Sequence, residues 1–127
     1  MSLARYAPWF GFKNFLMRRT GAGIGKNVSL AFGVQLDILF PGDIIIEDDA
    51  IIGYNTTILC HGYLHDSYQR GPVLIGERAS IGANSTILPG VTIGDDAVVG
   101  AMSLVREDVP PGEFWAGVPA KRIRNRY

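Results

Sequence analysis

The sequence predicts an all-β fold, a parallel β-helix coiled into a triangular prism, with a short helical segment in front of it. Three observations predict it. Across residues 75–110 the chain reads in units of six, each opened by a branched aliphatic residue: Ile75, Ile81, Ile87, Ile93, Val99 and Val105. The fifth position of each unit is small or β-branched (Ala79, Ser85, Val91, Ala97, Ser103, Val109), and the fourth is rich in Asn, Asp and Gly. A period of six is neither the 3.6 of an amphipathic helix nor the two of a half-buried strand, and it marks a solenoid whose unit is one strand and one corner.

The slots follow from that geometry. A short strand turns the opening residue inward, the fifth residue also points into the interior and has to be small, and the residues between them turn the corner. Three units close one turn of the prism, and successive turns stack at the ~4.8 Å spacing of paired strands. A corner so sharp favours residues that tolerate positive φ. Asn27, Gly33, Asp49, Asn55, Asn84, Gly90, Asp96 and Asp108 meet that demand in the fourth slot, whereas Leu39, Arg78 and Met102 are exceptions by residue type.

In chain order, residues 1–20 do not repeat. Tyr6, Trp9, Phe10, Phe12, Phe15 and Leu16 alternate with Arg5, Lys13, Arg18 and Arg19 in a helical segment that Pro8 can begin and Gly11 weakens. It reads as a cap over the apolar end of the stack. A basic aromatic helix on a membrane surface is the weaker reading, because its polar face is short. The coil occupies residues 21–127. Ile24, Leu30 and Leu36 open its first units, with Val28, Val34 and Phe40 in the fifth slot. An insertion over 41–45 shifts the phase, and Ile46, Ile52 and Ile58 resume it with Ala50, Thr56 and Gly62 in the fifth slot. A polar loop over 64–74, carrying His65, Asp66, Tyr68, Gln69 and Arg70, breaks it again. Loops on one side of a solenoid are where sites are usually placed. Pro110, Pro111 and Gly112 are expected to stop the coil, and residues 115–119 to lead a basic tail back along it.

A chain of 127 residues suits one domain, and its 12 basic and 12 acidic residues cancel, so bulk charge gives no argument for nucleic acid. Its one cysteine, Cys60, can form no internal disulfide. Without a secretory signal pattern or an apolar run of about twenty residues, a cytoplasmic protein is the expectation. Leu59 and Leu88 point outward where two other faces carry glycine, with Leu104 nearby, and such an apolar stripe predicts a subunit contact.

For chemistry, His61 counts into the fourth slot of its unit, at a corner beside the leucine-bearing face. A neutral imidazole there can take a proton from an attacking hydroxyl or amine, or the histidine can simply tolerate the corner. His65 lies in the loop, either as an alternative base or as a solvated residue. Cys60 points toward the interior, where a thiol is poorly ionised. Asp37 shares the third face with His61, one turn away, and can bind an acceptor hydroxyl or orient the base, or be a solvated carboxylate. Asn55 and Asn84 are corner residues, with Asn84 on the side where a donor would lie.

The run Ile81-Gly-Ala-Asn-Ser-Thr-Ile-Leu-Pro-Gly-Val-Thr-Ile-Gly-Asp and the closing Gly117-Val-Pro-Ala-Lys-Arg-Ile-Arg resemble the hexapeptide-repeat acetyltransferases of the maltose and galactoside O-acetyltransferase type. The resemblance covers about residues 24–124. It implies a left-handed coil, against the usual right-handed crossover, and a homotrimer with active sites between neighbouring prisms. It also implies acetyl-CoA as donor, a sugar-like acceptor and a histidine base before the loop, with His61 and His65 straddling the family's position at Tyr63. It points to the backbone of Ala83 and Ala101 for the pantetheine arm, to Lys121 and Arg124 for the phosphates, and to an acidic residue at about the level of Asp37 for the acceptor; beside these, His65 and Asn84 are candidates at the acceptor and Arg106 at the donor. The cluster Lys121, Arg122, Arg124 and Arg126 suits phosphate oxygens, or serves as a solubilising tail. The family's basic position after Val105 falls on Glu107. A non-catalytic trimeric scaffold is the rival reading. A metal enzyme like the γ-class carbonic anhydrases, with Asp66 as an added ligand, is weaker still, since those need three histidines and this chain has two; no metal is expected.

Overall fold

A computed structural model describes residues 21–37, 41–64 and 67–126. The expected N-terminal helical cap, Leu39, Phe40 and His65 lie outside the described residues. The opening aliphatic residues carry short parallel strands that stack into three sheets, one per face of the prism. The first face joins Gly23–Ile24, Ile44–Ile46, Val73–Ile75 and Thr92–Ile93. Ser29–Leu30, Ile51–Ile52, Ser80–Ile81 and Val98–Val99 make the second face, which Glu113–Gly117 and Ala120–Asn125 extend. Gln35–Leu36, Thr57–Ile58, Thr86–Ile87 and Leu104–Val105 make the third.

The register places like slots over like. Leu30 pairs with Ile52, Ile52 with Ile81 and Ile81 with Val99, and all four are buried. Each opening isoleucine taken out of water contributes roughly 1.5–3 kcal/mol. The fifth-slot residues Val28, Val34, Ala50, Thr56, Ala79, Ser85, Val91, Ala97 and Ser103 are buried beside them. Both insertions keep the register, since Ile24 pairs with Ile46 and Ile46 with Ile75.

The fourth slot shows the coil overruling residue preference. Asn27, Asp49, Asn55, Asn84 and Asp96 take φ between 57° and 62°, and so do the two exceptions by type, Arg78 at 59° and Met102 at 58°. Asp108 does not adopt it. Val109 bridges to Ile93 and so occupies an opening position, which shortens the preceding unit by two residues. Asp108 instead accepts a hydrogen bond at Oδ1 from the Thr92 amide (2.8 Å).

Counting on from Val109 puts Gly112 in the next fourth slot, with φ of 71°. The expected stop at Pro110, Pro111 and Gly112 is therefore only another corner. The coil runs on through the parallel strand Glu113–Gly117, with Trp115 opposite Val99, and only then does Ala120–Asn125 return antiparallel.

Candidate functional site

The second slip is where structure and sequence differ most. The chain leaves the coil after Cys60, three residues earlier than expected, as an antiparallel hairpin of His61–Leu64 and Ser67–Arg70. His61 pairs with Arg70 and Gly62 with Gln69. His61 is thus a strand residue at the root of a hairpin and not a coil corner, and Gly62 is not a fifth-slot residue. The unit Ile58-Leu-Cys-His-Gly-Tyr satisfies the repeat by composition alone, because His and Gly both suit a corner. Counting backward from Val73, which sits over Ile44, would have exposed the difference.

The hairpin root is held from several directions. Gly71 N donates to Cys60 O (2.9 Å), closing the hairpin base. Arg70 Nε donates to Asp43 Oδ2 (2.8 Å) in the 3-10 turn Pro41–Asp43, so the two insertions brace each other. Asp37, only 2% exposed, accepts the Cys60 amide at Oδ2 (2.8 Å). A buried carboxylate needs such donors, and this one fixes the residue immediately before His61. Asp37 is thereby a holder of the hairpin root and not the solvated carboxylate that spacing allowed. Cys60 is fully buried, and burial first, then the charge of Asp37, pushes its thiol up to about 11. It is no nucleophile at neutral pH.

The three corners of the prism differ in chemistry. The first, at 25–27, 47–49, 76–78 and 94–96, carries Lys26, Glu47, Asp48, Asp49, Glu77, Arg78, Asp95 and Asp96. Two of its third-slot amides are satisfied by aspartates of the next turn: Lys26 N donates to Asp48 Oδ1 (2.8 Å) and Glu77 N to Asp95 Oδ1 (2.9 Å). Arg78 pairs with Asp96 at 2.9 Å and holds that carboxyl below its ordinary value.

The second corner, at 31–33, 53–55, 82–84 and 100–102, holds no charged residue. Its third slot reads Phe32, Tyr54, Ala83 and Ala101. No side chain there can play the aspartate's part, and among the described residues the amides of Tyr54, Ala83 and Ala101 donate to no acceptor. Inside the same corner, hydroxyls engage the backbone instead: Thr56 Oγ1 donates to Gly82 O (3.2 Å), Ser85 Oγ to Gly100 O (3.2 Å) and Ser103 Oγ to Gly100 O (2.7 Å). The wall is braced from within, and at Ala83 and Ala101 it leaves unclaimed amides beside small side chains, which suits a thin ligand bearing carbonyls.

The third corner carries the hairpin. Asp37 and His61 lie at its side of the third face, while Ala83, Asn84 and Ala101 lie at the opposite side. Six residues separate equivalent corners, so roughly 15–20 Å stands between the two groups on one coil. The structure brings Asp37 and His61 together, and Ala83, Asn84 and Ala101 together, but not the two sets. The third face between them bears Leu59, Leu88 and Leu104, each half-buried. The most exposed apolar side chains lie elsewhere, at Ile45, Ile51, Phe32, Tyr54, Met102, Val118 and Ile123.

The basic residues sit at the end of the stack. Lys121 Nζ pairs with Glu107 Oε1 (3.0 Å), across the end from the returning strand to the last third corner, and holds that carboxyl below its ordinary value. Arg124 stacks over the Phe114 ring at 5.2 Å, and Arg122 pairs with Glu113 at 3.4 Å. Arg126 Nη1 donates to Arg78 O (3.2 Å) and Asp96 O (3.0 Å), which makes it a structural clasp. Arg106 is exposed beside Glu107. No helix among the described residues is long and apolar enough to cross a membrane, and no metal-binding cluster occurs among them.

Comparison with known proteins agrees with this architecture. The family profile described as "Bacterial transferase hexapeptide (six repeats)" matches residues 72–107. YvoF of Bacillus subtilis, named for the acetyltransferases, is 52% identical over 97% of this chain and 72% of its own. Galactoside O-acetyltransferase of Escherichia coli is 38% identical over 80% of this chain and 52% of its own. Among solved structures, a galactoside acetyltransferase in complex with coenzyme A superposes with a TM-score of 0.77 at 26% identity, covering 99% of this chain and 78% of that one. The chain belongs to the hexapeptide-repeat bacterial acetyltransferases, and its coil is the left-handed parallel β-helix of that family. It is an acyltransferase by that membership.

Proposed function

We propose that the protein transfers acetyl from acetyl-CoA to a hydroxyl of a sugar-like acceptor, by direct transfer, with His61 as general base and a homotrimer as the working assembly. The observation that carries the donor half is the second corner, where Ala83 and Ala101 offer unclaimed amides on a wall of small side chains. These amides suit the carbonyls of a pantetheine arm, and one of them the oxyanion that forms at the thioester carbon. Lys121, Arg124 and Arg106, at the end of the stack, take the phosphates.

His61 is the base because its backbone is pinned on both sides, by the Cys60 amide on Asp37 and by the pairing with Arg70. A base held on a braced root is positioned more closely than one that depends on a loop to fix it. The imidazole takes the proton of the acceptor hydroxyl as its oxygen attacks the thioester carbon. The tetrahedral intermediate then collapses, the carbon–sulfur bond breaks, and the imidazolium returns the proton to the CoA thiolate. The separation of the two groups on one coil supports a site between protomers, the hairpin of one facing the wall of the next.

The test is acceptor-dependent CoA release by His61→Ala and His65→Ala, each checked for assembly. His61→Ala should lose at least about a hundredfold in kcat, with His65→Ala retaining most of it. The reverse ranking moves the base to His65, and undiminished turnover in both variants removes the histidine mechanism.

A further inference from the structure

The third slot of the second corner changes character along the axis. Ala101 and Ala83 are small, and one turn further toward the N-terminal end stand Tyr54 and then Phe32. The corner ladder shows that these four stack directly: Met102 N donates to Ala83 O (2.8 Å), Asn84 N to Tyr54 O (2.7 Å) and Asn55 N to Phe32 O (3.1 Å). Phe32 is 49% exposed and Tyr54 60%, large fractions for side chains whose rings gain from burial. The backbones that carry the two rings stand about one strand spacing apart, ~4.8 Å, on the same edge as the alanines.

From these rings we infer a specificity element of the acceptor subsite: Tyr54 and Phe32 form a shelf that receives an uncharged pyranose by its apolar C–H face. The inference rests on the acetyltransferase reading, and commits it to a substrate class. Three features select that occupant. The shelf continues the edge proposed for the donor arm, one turn beyond Ala83, so a ring lying on it meets the end of the wall. The corner has no charged residue, whereas the first corner of the same turns is crowded with them, so a uronate or a phosphorylated sugar finds no counter-ion among the described residues of this corner. Polar groups for the ring's hydroxyls stand beside the rings: the Tyr54 amide donates to no acceptor among the described residues, and the exposed Asn84 lies one turn on. The Asn55 carboxamide oxygen instead lies over Gly33, whose place a Cβ would contest.

The test uses the whole chain and two readouts. Saturation-transfer NMR with methyl glucoside, methyl galactoside, methyl N-acetylglucosaminide and glucuronate reports binding without chemistry. Steady-state CoA release reports KM for the same sugars and for acetyl-CoA. Tyr54→Ala and Phe32→Ala should each raise KM for the preferred neutral pyranoside roughly three- to tenfold, weaken its NMR signal, and leave KM for acetyl-CoA unchanged, with Tyr54→Phe close to wild type. Wild-type transfer to a sugar whose KM neither alanine variant moves overturns the shelf and leaves the enzyme reading standing. Sugar binding that depends on Tyr54 without any acetyl transfer keeps the shelf and overturns the enzyme reading. Preference for glucuronate, absence of neutral-sugar binding, or dissociation of the assembly in both alanine variants overturns the shelf, the last assigning the rings to a subunit contact.

Discussion

A side-chain pair at the end of the coil bears on the charge of the proposed donor site. Lys121, one of the cations proposed to take the phosphates, is engaged by Glu107, which stands where a basic residue was expected. Both groups are well exposed, so solvent screens the pair and it is weak. The sign follows from the lowered Glu107 carboxyl: the pair is present above the unfolded pKa of a glutamate and is lost as pH falls through the lower folded value. Removing the carboxylate charge releases the ammonium. Glu107→Gln should therefore lower KM for acetyl-CoA by roughly two- to fivefold at low salt, with the difference shrinking as ionic strength rises. An unchanged KM at low salt would take Lys121 out of the donor site. At this scale the sequence was a partial guide. It marked Glu107 as a departure and Asp37 as a candidate, but the Glu107 pairing with Lys121 and the Asp37 bond to the Cys60 amide depend on neighbours 14 and 23 residues away.

Among elements, the corners were legible in outline and misjudged in cause. The fourth slot was expected to select Asn, Asp and Gly, yet Arg78 and Met102 adopt the same positive φ. The strands on either side, with their buried opening and fifth residues, fix the path of the chain, and the corner residue accepts a local cost of about 1–2 kcal/mol. Glycine in the second slot answers to a stricter demand. A Cβ on Gly82 would lie 2.4 Å from the amide nitrogen of Ala101, whereas at Gly90, φ 81°, it would meet nothing within 4 Å. Gly82→Ala should therefore destabilise by up to about 3 kcal/mol through overpacking against backbone, and Gly90→Ala by about 1–2 kcal/mol of conformational strain alone. Thermal unfolding of the two variants should rank them in that order, and a larger loss at Gly90 would mean that backbone dihedrals, not stacking distance, limit the corners. The hairpin was the element the repeat concealed. Its first residues imitate a corner, and only the two-residue alternation of a strand from His61 to Leu64 distinguishes it, over a span too short to carry weight in sequence.

For the whole molecule, the prism, its period and its three faces could be read before the structure, because every unit repeats the same physical demand. The distance between the candidate groups could not, since it depends on which corner each unit reaches after two insertions. With the hairpin at the third corner and the alanine wall at the second, a complete site on one coil would have to span the third face. A trimer resolves this if each hairpin serves its neighbour's wall, and that arrangement has a kinetic signature. His61→Ala spoils a hairpin and leaves its wall; Ala101→Trp blocks a wall and leaves its hairpin. Each variant alone should be inactive. Co-assembled in equal amounts with random exchange, a site pairing an intact hairpin with an intact wall arises at about a quarter of positions in a cyclic trimer. Activity should therefore return to about a quarter of wild type, in proportion to the mixed species resolved by native mass spectrometry. Mixed trimers that stay inactive would place the hairpin and the wall of each site in the same protomer. The hairpin would then have to fold back across Leu59, Leu88 and Leu104, and the third face could no longer serve as the subunit contact.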